Sequence, residues 1–243
     1  MDIQTFFSAE AASQRNLEGR NVLVIDVLRA TTSMITALTN GAKTIIPVES
    51  VVKARAMLSQ FPKGTALLCG ERGFDRLEGF HLGNSPMEYN RDAVNGKSLV
   101  FTSTNGTRGV TAGLKSDTMV MGAFINFPRP ADYLVDLKKD LTIICCGTTG
   151  YFSLEDAVCG GMFIHYISKN LRTFTTNDAS EAAMALFRRY RDRIPMMMET
   201  CENGRQLSSM GYHQDVAYCS QIGKTDIVPI SKGNELVALE PKL

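Results

Sequence analysis

Residues 98–114 read Ser98-Leu-Val-Phe-Thr-Ser-Thr-Asn-Gly-Thr-Arg-Gly-Val-Thr-Ala-Gly-Leu114, and this stretch decides the fold class. Its first part, residues 99–102, is an apolar run that predicts a buried strand, and residues 109–114 predict a short helix. The loop between them contains Thr104, Asn105, Gly106, Thr107 and Arg108. Glycine allows a close backbone approach, a helix start attracts anions, and arginine binds phosphate or carboxylate through a planar fork of donors. We therefore predict a strand–loop–helix unit of an α/β fold that binds a small anion.

A second unit of the same kind lies nearer the N-terminus. Residues 22–25 form an apolar run that predicts a strand, and Asp26 and Arg29 follow it directly, before a helix predicted from Thr31. Open α/β sheets bind their ligands where strands end and helices begin, so both side chains are candidate site residues. The alternatives are a helix N-cap for Asp26 and a surface ion pair for Arg29. The presence of two such loops favours the functional interpretation.

Predicted strands and helices alternate along the chain. Strands are predicted at residues 22–25, 44–48, 66–69, 99–102, 118–121 and 141–145. Helices are predicted at residues 31–39, 51–60, 109–114, 130–138, 153–168, 178–190 and 202–209, and a terminal hairpin at 226–229 and 236–239. This alternation predicts one domain spanning residues 1–243, with a layered α/β/α fold and a largely parallel or mixed sheet. The likeness of the two strand–loop–arginine–helix units leaves internal duplication open, as two similar halves sharing one cleft.

The composition argues against several classes of partner. The 243 residues carry a net charge of +1 without a basic stripe, which argues against nucleic acid. No apolar run reaches the roughly 20 residues of a membrane span, and the N-terminus does not resemble a signal peptide. The six cysteines form no CxxC pair and the three histidines are scattered, so no zinc site is expected. We expect a cytoplasmic protein with free, buried thiols.

Two further segments contain candidate site residues. Residues 70–90 follow a predicted strand and contain Glu71 and Arg72, followed by Asn84 and Ser85 in a predicted tight turn. The alternative is a surface loop with local ion pairs, although long loops in compact domains usually have a function.

Residues 146–156 again join a strand end to a helix start, and they finish with Glu155 and Asp156. With Ser153 these acids resemble a capping box, and acids in a first turn also favour the helix dipole, which is their purely structural interpretation. Mg²⁺ binds a few carboxylates together with waters and phosphate oxygens. If the strand ends converge, the predicted metal ligands come from Asp26, Glu71, Glu155 and Asp156.

Five segments resemble the 2-phosphosulfolactate phosphatase family in order and spacing. They are residues 24–32 (VIDVLRATT), 70–73 (GERG), 78–86 (EGFHLGNSP), 104–108 (TNGTR) and 153–157 (SLEDA). The resemblance runs from about residue 3 to about residue 230. Asn203 departs from it, because histidine is common there in the family, and Thr149 stands where an acidic or another small residue is expected.

The resemblance implies a dimeric α/β phosphatase that uses Mg²⁺ to convert (2R)-phospho-3-sulfolactate to sulfolactate and phosphate, a step toward coenzyme M. The residues expected in catalysis are Asp26, Arg29, Glu71 and Arg108. The residues expected to bind substrate are Arg29, Arg72, Asn84, Ser85, Thr104, Asn105, Gly106, Thr107, Arg108 and Thr148.

The expected mechanism is attack by an in-line water that a carboxylate orients, with Asp26 the first choice. A covalent route through Asp26, Ser33, Ser103 or Cys146 stays open. Two alternative functions also stay open. One is a phosphatase of the same fold that acts on another small phospho-acid. The other is a non-catalytic protein that binds a small anion.

Overall fold

The computed structural model describes residues 1–239, and the strands within them form one sheet. The strands are β1 (Asp2–Phe6), β2 (Asn21–Ile25), β3 (Thr44–Pro47), β4 (Ala66–Arg72), β5 (Asp75–Arg76), β6 (Ser98–Thr102), β7 (Thr118–Gly122), β8 (Leu141–Cys145), β9 (Thr175–Thr176), β10 (Pro229–Lys232) and β11 (Glu235–Ala238). The α-helices are α1 (Ala9–Ser13), α2 (Ala30–Thr39), α3 (Val51–Leu58), α4 (Arg91–Val94), α5 (Gly106–Gly113), α6 (Arg129–Leu137), α7 (Leu154–Lys169), α8 (Asp178–Tyr190), α9 (Ile194–Thr200), α10 (Glu202–Ser209) and α11 (His213–Cys219).

The sheet has two parallel parts joined by an antiparallel hairpin. Its strand order is β5-β4-β6-β3-β11-β10-β7-β2-β8-β1-β9. Strands β4, β6 and β3 are parallel neighbours, and so are β7, β2, β8, β1 and β9. The β10–β11 hairpin pairs antiparallel with β7, through Ile230 and Val120, and with β3, through Leu236 and Ile45. The sheet is therefore mixed, which is one of the two predicted forms.

Side chains on the two faces of a strand pack into different helix layers. In β2, Val22 and Val24 pack with α1, α2 and α5, whereas Leu23 packs with α7 and α8 on the opposite face. Because helices cover both faces, the strand is continuously apolar. Helix α3 covers the outer face of the other parallel part, where Ala54 packs near Leu68. The prediction of a layered α/β/α fold is confirmed.

Two glycines let α5 lie close to the ends of β2 and β8. A Cβ on Gly106 would lie 2.4 Å from the Ala30 Cβ at the start of α2, and one on Gly109 would lie 2.3 Å from the Cys146 Sγ after β8. A larger residue would push α5 away, because close-packed interiors do not absorb such overlaps. The loop after β6 therefore meets the ends of β2 and β8, although four strands lie between β6 and β2 in the sheet.

The structure differs from the predicted elements mainly where elements are short. The sequence patterns do not predict β1, α1, α9 and α11, which have at most seven residues each and are too short for a clear periodicity. Strand β4 continues to Arg72 and pairs with β5, inside the segment predicted to be irregular. The terminal hairpin is confirmed, with its first strand shifted to β10.

The predicted capping box is wrong. Ser153 is the N-cap of α7, but its side chain makes no capping hydrogen bond. Its hydroxyl instead lies 2.8 Å from the Thr148 hydroxyl in the preceding loop. Within residues 1–239, no helix is long and apolar enough to span a membrane. The single-domain assignment and the internal duplication stay predictions.

Candidate active site

A cavity of about 760 Å³ lies beside the ends of β6 and β8 and extends along α5. One wall is the loop after β6 and the start of α5, with Ser103, Thr104, Asn105, Thr107 and Arg108. The other walls come from α1, from Glu49 and Arg72, and from Cys146 and Gly150 after β8. The predicted anion-binding loop therefore faces a cavity, and the start of α5, which attracts anions, opens toward it.

Hydrogen bonds within the loop fix its conformation. The Ser103 N–H donates to Thr107 Oγ1 at 2.8 Å, and the Thr107 N–H donates to Ser103 Oγ at 3.0 Å. Asn105 Oδ1 accepts a hydrogen bond of 2.9 Å from the Thr149 N–H, which connects the loop to the segment after β8. The side-chain oxygen of Asn105 therefore connects the loop after β6 to the loop after β8.

Glu71 holds the loop after β6 in place through hydrogen bonds. Its Oε1 accepts a hydrogen bond of 2.7 Å from the Thr104 N–H, and its Oε2 accepts bonds of 3.1 Å from the Thr104 hydroxyl and the Phe74 N–H. Glu71 is buried and does not line the cavity. The geometry gives Glu71 a positioning role for Thr104, and its catalytic and metal-binding roles stay predictions.

Asp26 lies beneath the loop, directly after β2. Its Oδ1 accepts a hydrogen bond of 3.2 Å from the Ala30 N–H, and its Oδ2 would lie 2.8 Å from a Cβ on Gly106. Burial raises the pKa of Asp26 from 3.8 to about 7; the Ala30 N–H opposes this rise, and the charges of Glu71 and Glu155 add to it. A carboxyl group with this pKa can exchange a proton near neutral pH.

Glu155 and Asp156 lie in the first turn of α7, and both are buried. Asp156 uses both oxygens to join two strand ends, accepting from the Val27 N–H at 2.8 Å and from the Gly147 N–H at 3.1 Å. Glu155 Oε1 accepts a hydrogen bond of 2.6 Å from Asn203 Nδ2. Burial raises the pKa of both carboxyl groups, and neighbouring acids raise that of Asp156 further.

The four predicted metal ligands do not form a closed metal site. The charge of Glu155 raises the pKa of Asp26, and the charges of Asp26 and Glu155 raise the pKa of Asp156, so these acids lie close together. However, no group of three or more Asp, Glu, His or Cys side chains in residues 1–239 could hold a metal ion. Asp26, Glu155 and Asp156 therefore lie close together, but the four predicted residues are not arranged as the ligands of one metal ion.

Arg29 is buried and paired instead of facing the cavity. Its Nη1 donates to Asp215 Oδ2 at 2.7 Å, with side-chain exposures of 1% for Arg29 and 3% for Asp215. Its Nη2 donates to the Phe74 carbonyl oxygen at 2.8 Å, and the guanidinium lies 4.3 Å from the centre of the Tyr212 ring. The Ser85 hydroxyl donates to Asp215 Oδ1 at 2.7 Å. Neither Arg29 nor Ser85 lines the cavity, and their roles in catalysis and substrate binding stay predictions. The ion pair of Arg29 is buried, so the surface ion-pair alternative is wrong.

The cations that do line the cavity are Arg72, Arg108 and Lys115. Arg72 is half-buried, and its Nη2 donates to the Thr102 hydroxyl at 2.9 Å. Arg108 and Lys115 are exposed on the cavity side of α5 and of the turn after it. The two arginines are where the sequence predicts cations, whereas Lys115 is an addition.

Asn84 and Thr148, both predicted to bind substrate, do not line the cavity. The Asn84 backbone carbonyl oxygen accepts a hydrogen bond of 2.7 Å from the Ser33 hydroxyl, and its buried Oδ1 has no partner within residues 1–239. Thr148 Oγ1 accepts a hydrogen bond of 2.6 Å from Asn203 Nδ2. Their roles in substrate binding stay predictions.

The Cys146 thiol lines the cavity but is a poor nucleophile. Burial raises the pKa of Cys146 well above its ordinary value, and the charges of Asp26 and Asp156 raise it further. Because the thiolate is the reactive form, the protonated thiol does not compete with water near neutral pH.

Comparison with known proteins identifies the family. A model of the family described as 2-phosphosulpholactate phosphatase matches residues 6–234. The chain belongs to the 2-phosphosulfolactate phosphatase family. A protein of Caldanaerobacter subterraneus subsp. tengcongensis named "Probable 2-phosphosulfolactate phosphatase" is 38% identical over 94% of this chain and 95% of its own length. Proteins with the same name from Symbiobacterium thermophilum and Clostridium acetobutylicum are 39% and 32% identical, over 92% and 98% of this chain and 96% and 100% of their own lengths.

2-Phosphosulfolactate phosphatases are phosphoric monoester hydrolases, so the chain belongs to a family of enzymes. The site also includes three residues that the sequence did not predict to belong to it. Asp215 and Tyr212 hold Arg29, and Asn203 holds Glu155. Asn203 could be noticed as a departure from the family pattern, but Asp215 lies 186 residues from Arg29 and no spacing connects the two.

We expect the replacement Asn203→Leu to lower the unfolding free energy by about 1–3 kcal/mol, because the buried Glu155 carboxylate loses its donor. We expect kcat to fall about tenfold, since a misplaced catalytic group typically costs at least that much. Urea unfolding and steady-state phosphatase kinetics measure the two effects. Asn203→His is the matched control, because imidazole retains an N–H donor. Wild-type stability and kcat in Asn203→Leu would show that Asn203 does not position Glu155.

Proposed function

We propose that this protein is a magnesium-dependent phosphatase that hydrolyses (2R)-phospho-3-sulfolactate to 3-sulfolactate and phosphate. The observation that carries the proposal is a cavity with cations on its walls and a cluster of buried acids next to it. Cations bind a multiply charged phosphoester, and a carboxylate orients the water that attacks it. Membership of the phosphatase family supports the same chemistry.

The cations suit a substrate with three acidic groups. A phosphate monoester carries roughly −1.5 to −2 charges at pH 7, and the carboxylate and the sulfonate each add one more negative charge. Arg72 and Arg108 line the cavity near the start of α5, where backbone dipoles also favour an anion. We propose that the phosphate binds at the start of α5. Arg72 and Arg108 together contact its oxygens and those of the sulfonate.

The acid cluster fits a magnesium ion with few protein ligands. Mg²⁺ is usually held by one or two carboxylates, with waters and substrate phosphate oxygens completing its shell. Asp156 and Glu71 have both oxygens in hydrogen bonds, whereas Asp26 Oδ2 accepts none within residues 1–239. We therefore propose Asp26 and Glu155 as the residues that hold magnesium. The bound ion would neutralise negative charge on the phosphoryl oxygens.

In the proposed reaction, Asp26 accepts a hydrogen bond from the attacking water and holds it in line with the phosphorus. A carboxylate in this position can take up the proton that the water loses as it attacks. Arg72 and Arg108 stabilise the charge that spreads over the equatorial oxygens. Ser103 Oγ already accepts a hydrogen bond from the Thr107 N–H, which favours water over Ser103 as the nucleophile.

We expect magnesium binding to release protons, because a cation favours ionised carboxylates. Asp26, with a pKa of about 7, is mostly protonated below that pH and mostly ionised above it, so proton release and the gain in Mg²⁺ affinity with rising pH are largest below about pH 7 and fade as the pH approaches 8. Calorimetry in buffers of different ionisation enthalpy measures the release without any substrate. We expect Asp26→Asn to remove most of it. Magnesium binding without proton release at pH 6.5 would argue against Asp26 as a ligand.

Phosphate release from racemic 2-phospho-3-sulfolactate, with Mg²⁺ or with EDTA, tests the proposed activity. We expect release with Mg²⁺ and none with EDTA. Release that is equally fast with EDTA would contradict the magnesium dependence. No release from this substrate but Mg²⁺-dependent release from another phospho-acid would keep the enzyme class and change the substrate. A folded protein that releases no phosphate from any phospho-acid would favour an anion-binding role.

We further propose that the reaction is a step toward coenzyme M and that the protein acts in the cytoplasm as a homodimer. The family resemblance supports the pathway and the dimer, and the free cysteines suit a reducing compartment. Light scattering at micromolar concentration tests the dimer, and a mass equal to one chain would contradict it.

A further inference from the structure

The cavity is larger than the proposed substrate requires. Its volume of about 760 Å³ is in the range of pockets that hold drug-sized ligands, whereas 2-phospho-3-sulfolactate has a backbone of only three carbons. A phosphate bound at the start of α5 would keep such a small molecule near Arg72 and Arg108. The part of the cavity between α1 and the end of α5 is then available to a further group.

One face of α5 connects the two ends of the cavity. Arg108, Thr111, Ala112 and Lys115 all line it, and their spacing of three, four and seven residues places them on the same side of a helix. Helix α5 ends at Gly113, and the Lys115 N–H still donates to the Ala112 carbonyl oxygen, so the turn continues the helix. At a rise of 1.5 Å per residue, Arg108 and Lys115 are about 10 Å apart along the axis.

The charges along this face are uneven. Within residues 1–239, neither Arg108 nor Lys115 forms an ion pair. Of the two acids on the cavity walls, Glu49 is paired with Lys53 at 2.5 Å. Glu10 on α1 has no such partner, and its Oε2 would lie 3.6 Å from a Cβ on Gly150. The far end of the cavity therefore presents Lys115, whereas the Glu10 carboxylate lies beside Gly150, in the loop that Thr149 connects to Asn105 at the start of α5.

We propose that Lys115 forms a second anion subsite, which binds the distal acidic group of phosphate monoesters longer than a three-carbon acid. The ligand class is a phosphate monoester with a carboxylate or sulfonate about 10 Å from the phosphorus, the distance from Arg108 to Lys115 along α5. The inference rests on the proposed phosphatase function, and it extends that function from one substrate to a class.

Phosphate monoesters of ω-hydroxy carboxylic acids with three to eight carbons test the subsite, with the monophosphates of alkan-1-ols of equal length as controls that lack the distal carboxylate. For wild-type enzyme, we expect the ratio of kcat/KM between acid and control to rise with length and to peak at about seven carbons, the extended chain that spans about 10 Å. Lys115→Met should lower this ratio about threefold to fivefold at the peak, the size expected for an exposed charge pair. Lys43→Met, an exposed lysine away from the cavity, should leave it unchanged.

The short substrate separates this inference from the proposed function. Lys115→Met should hydrolyse 2-phospho-3-sulfolactate at the wild-type rate, because the three-carbon acid does not reach Lys115. Hydrolysis of that substrate with a flat length profile in wild type, or an unchanged profile in Lys115→Met, would overturn the subsite and leave the phosphatase function standing. Absence of phosphate release from every ester would overturn the proposed function itself.

Discussion

Replacing Asp26 with asparagine is expected to lower kcat by about three orders of magnitude, within the range for loss of a positioned acid–base group. The amide neither takes up a proton nor supplies a negative charge to magnesium. We expect the fold to persist, because asparagine has the same shape and its side-chain oxygen can still accept from the Ala30 N–H. Steady-state kinetics with 2-phospho-3-sulfolactate and circular dichroism measure the two results.

The effect of Asp26→Asn on thermal stability depends on pH in a predictable direction. Burial raises the folded-state pKa of Asp26, so its stabilising contribution is full at low pH and is lost as the pH rises toward 7. Without metal, Asp26→Asn should therefore unfold at a higher temperature than wild type at pH 8. Asp75→Asn, an exposed acid on β5, is the matched control for both measurements. Near-native kcat in Asp26→Asn would remove Asp26 from the mechanism.

Replacing Asp215 with alanine is expected to lower the unfolding free energy by about 3–5 kcal/mol, the usual cost of leaving one member of a buried ion pair unpaired. The Arg29 guanidinium would lose its carboxylate, and the Ser85 hydroxyl would lose its acceptor. These contacts connect α11 to the segment after β2 and to Ser85, which precedes a 3-10 turn at Pro86–Glu88. We therefore also expect a fall in kcat, since Arg29 is next to the acid cluster.

Urea unfolding of Asp215→Ala beside Asp117→Ala tests this expectation. Asp117 pairs with Lys139 at the surface, where both side chains are partly exposed, so its loss should cost less than about 1 kcal/mol. Asp215→Asn serves as a milder variant that retains an acceptor for Arg29. If Asp215→Ala and Asp117→Ala lose the same small free energy, the buried pair does not hold this part of the site together.

Local signals explain why much of the fold could be predicted from the sequence. The apolar runs of β2, β6 and β8 are buried on both faces, and each is followed by small and polar residues. Such a pattern marks a strand end in an α/β sheet, so the loop at residues 104–108 could be placed at a ligand-binding edge. The β10–β11 hairpin could also be predicted, but its insertion between β7 and β3 could not, because each junction depends on a single residue pair.

The roles of individual site residues could not be predicted in the same way. An acid near a strand end can face a cavity or accept backbone hydrogen bonds, and the choice depends on distant segments. Glu71 meets the Thr104 N–H, 33 residues away, and Asp156 meets the Val27 N–H, 129 residues away. Arg29 pairs with Asp215, 186 residues away, and no spacing in the sequence indicates that contact. Composition and spacing therefore predict which residues gather, but not which of them remain open to substrate.

We propose that the cavity recognises phosphosulfolactate through cations that contact both its phosphate and its sulfonate. The most direct test is the ratio of kcat/KM for 2-phospho-3-sulfolactate to that for 2-phospholactate, which lacks only the sulfonate, measured on wild-type protein with Mg²⁺. We predict a ratio of at least tenfold, because a charge-assisted hydrogen bond to the sulfonate contributes about 1.5–3 kcal/mol. A ratio near one, or no hydrolysis of either ester by folded protein, would contradict the claim.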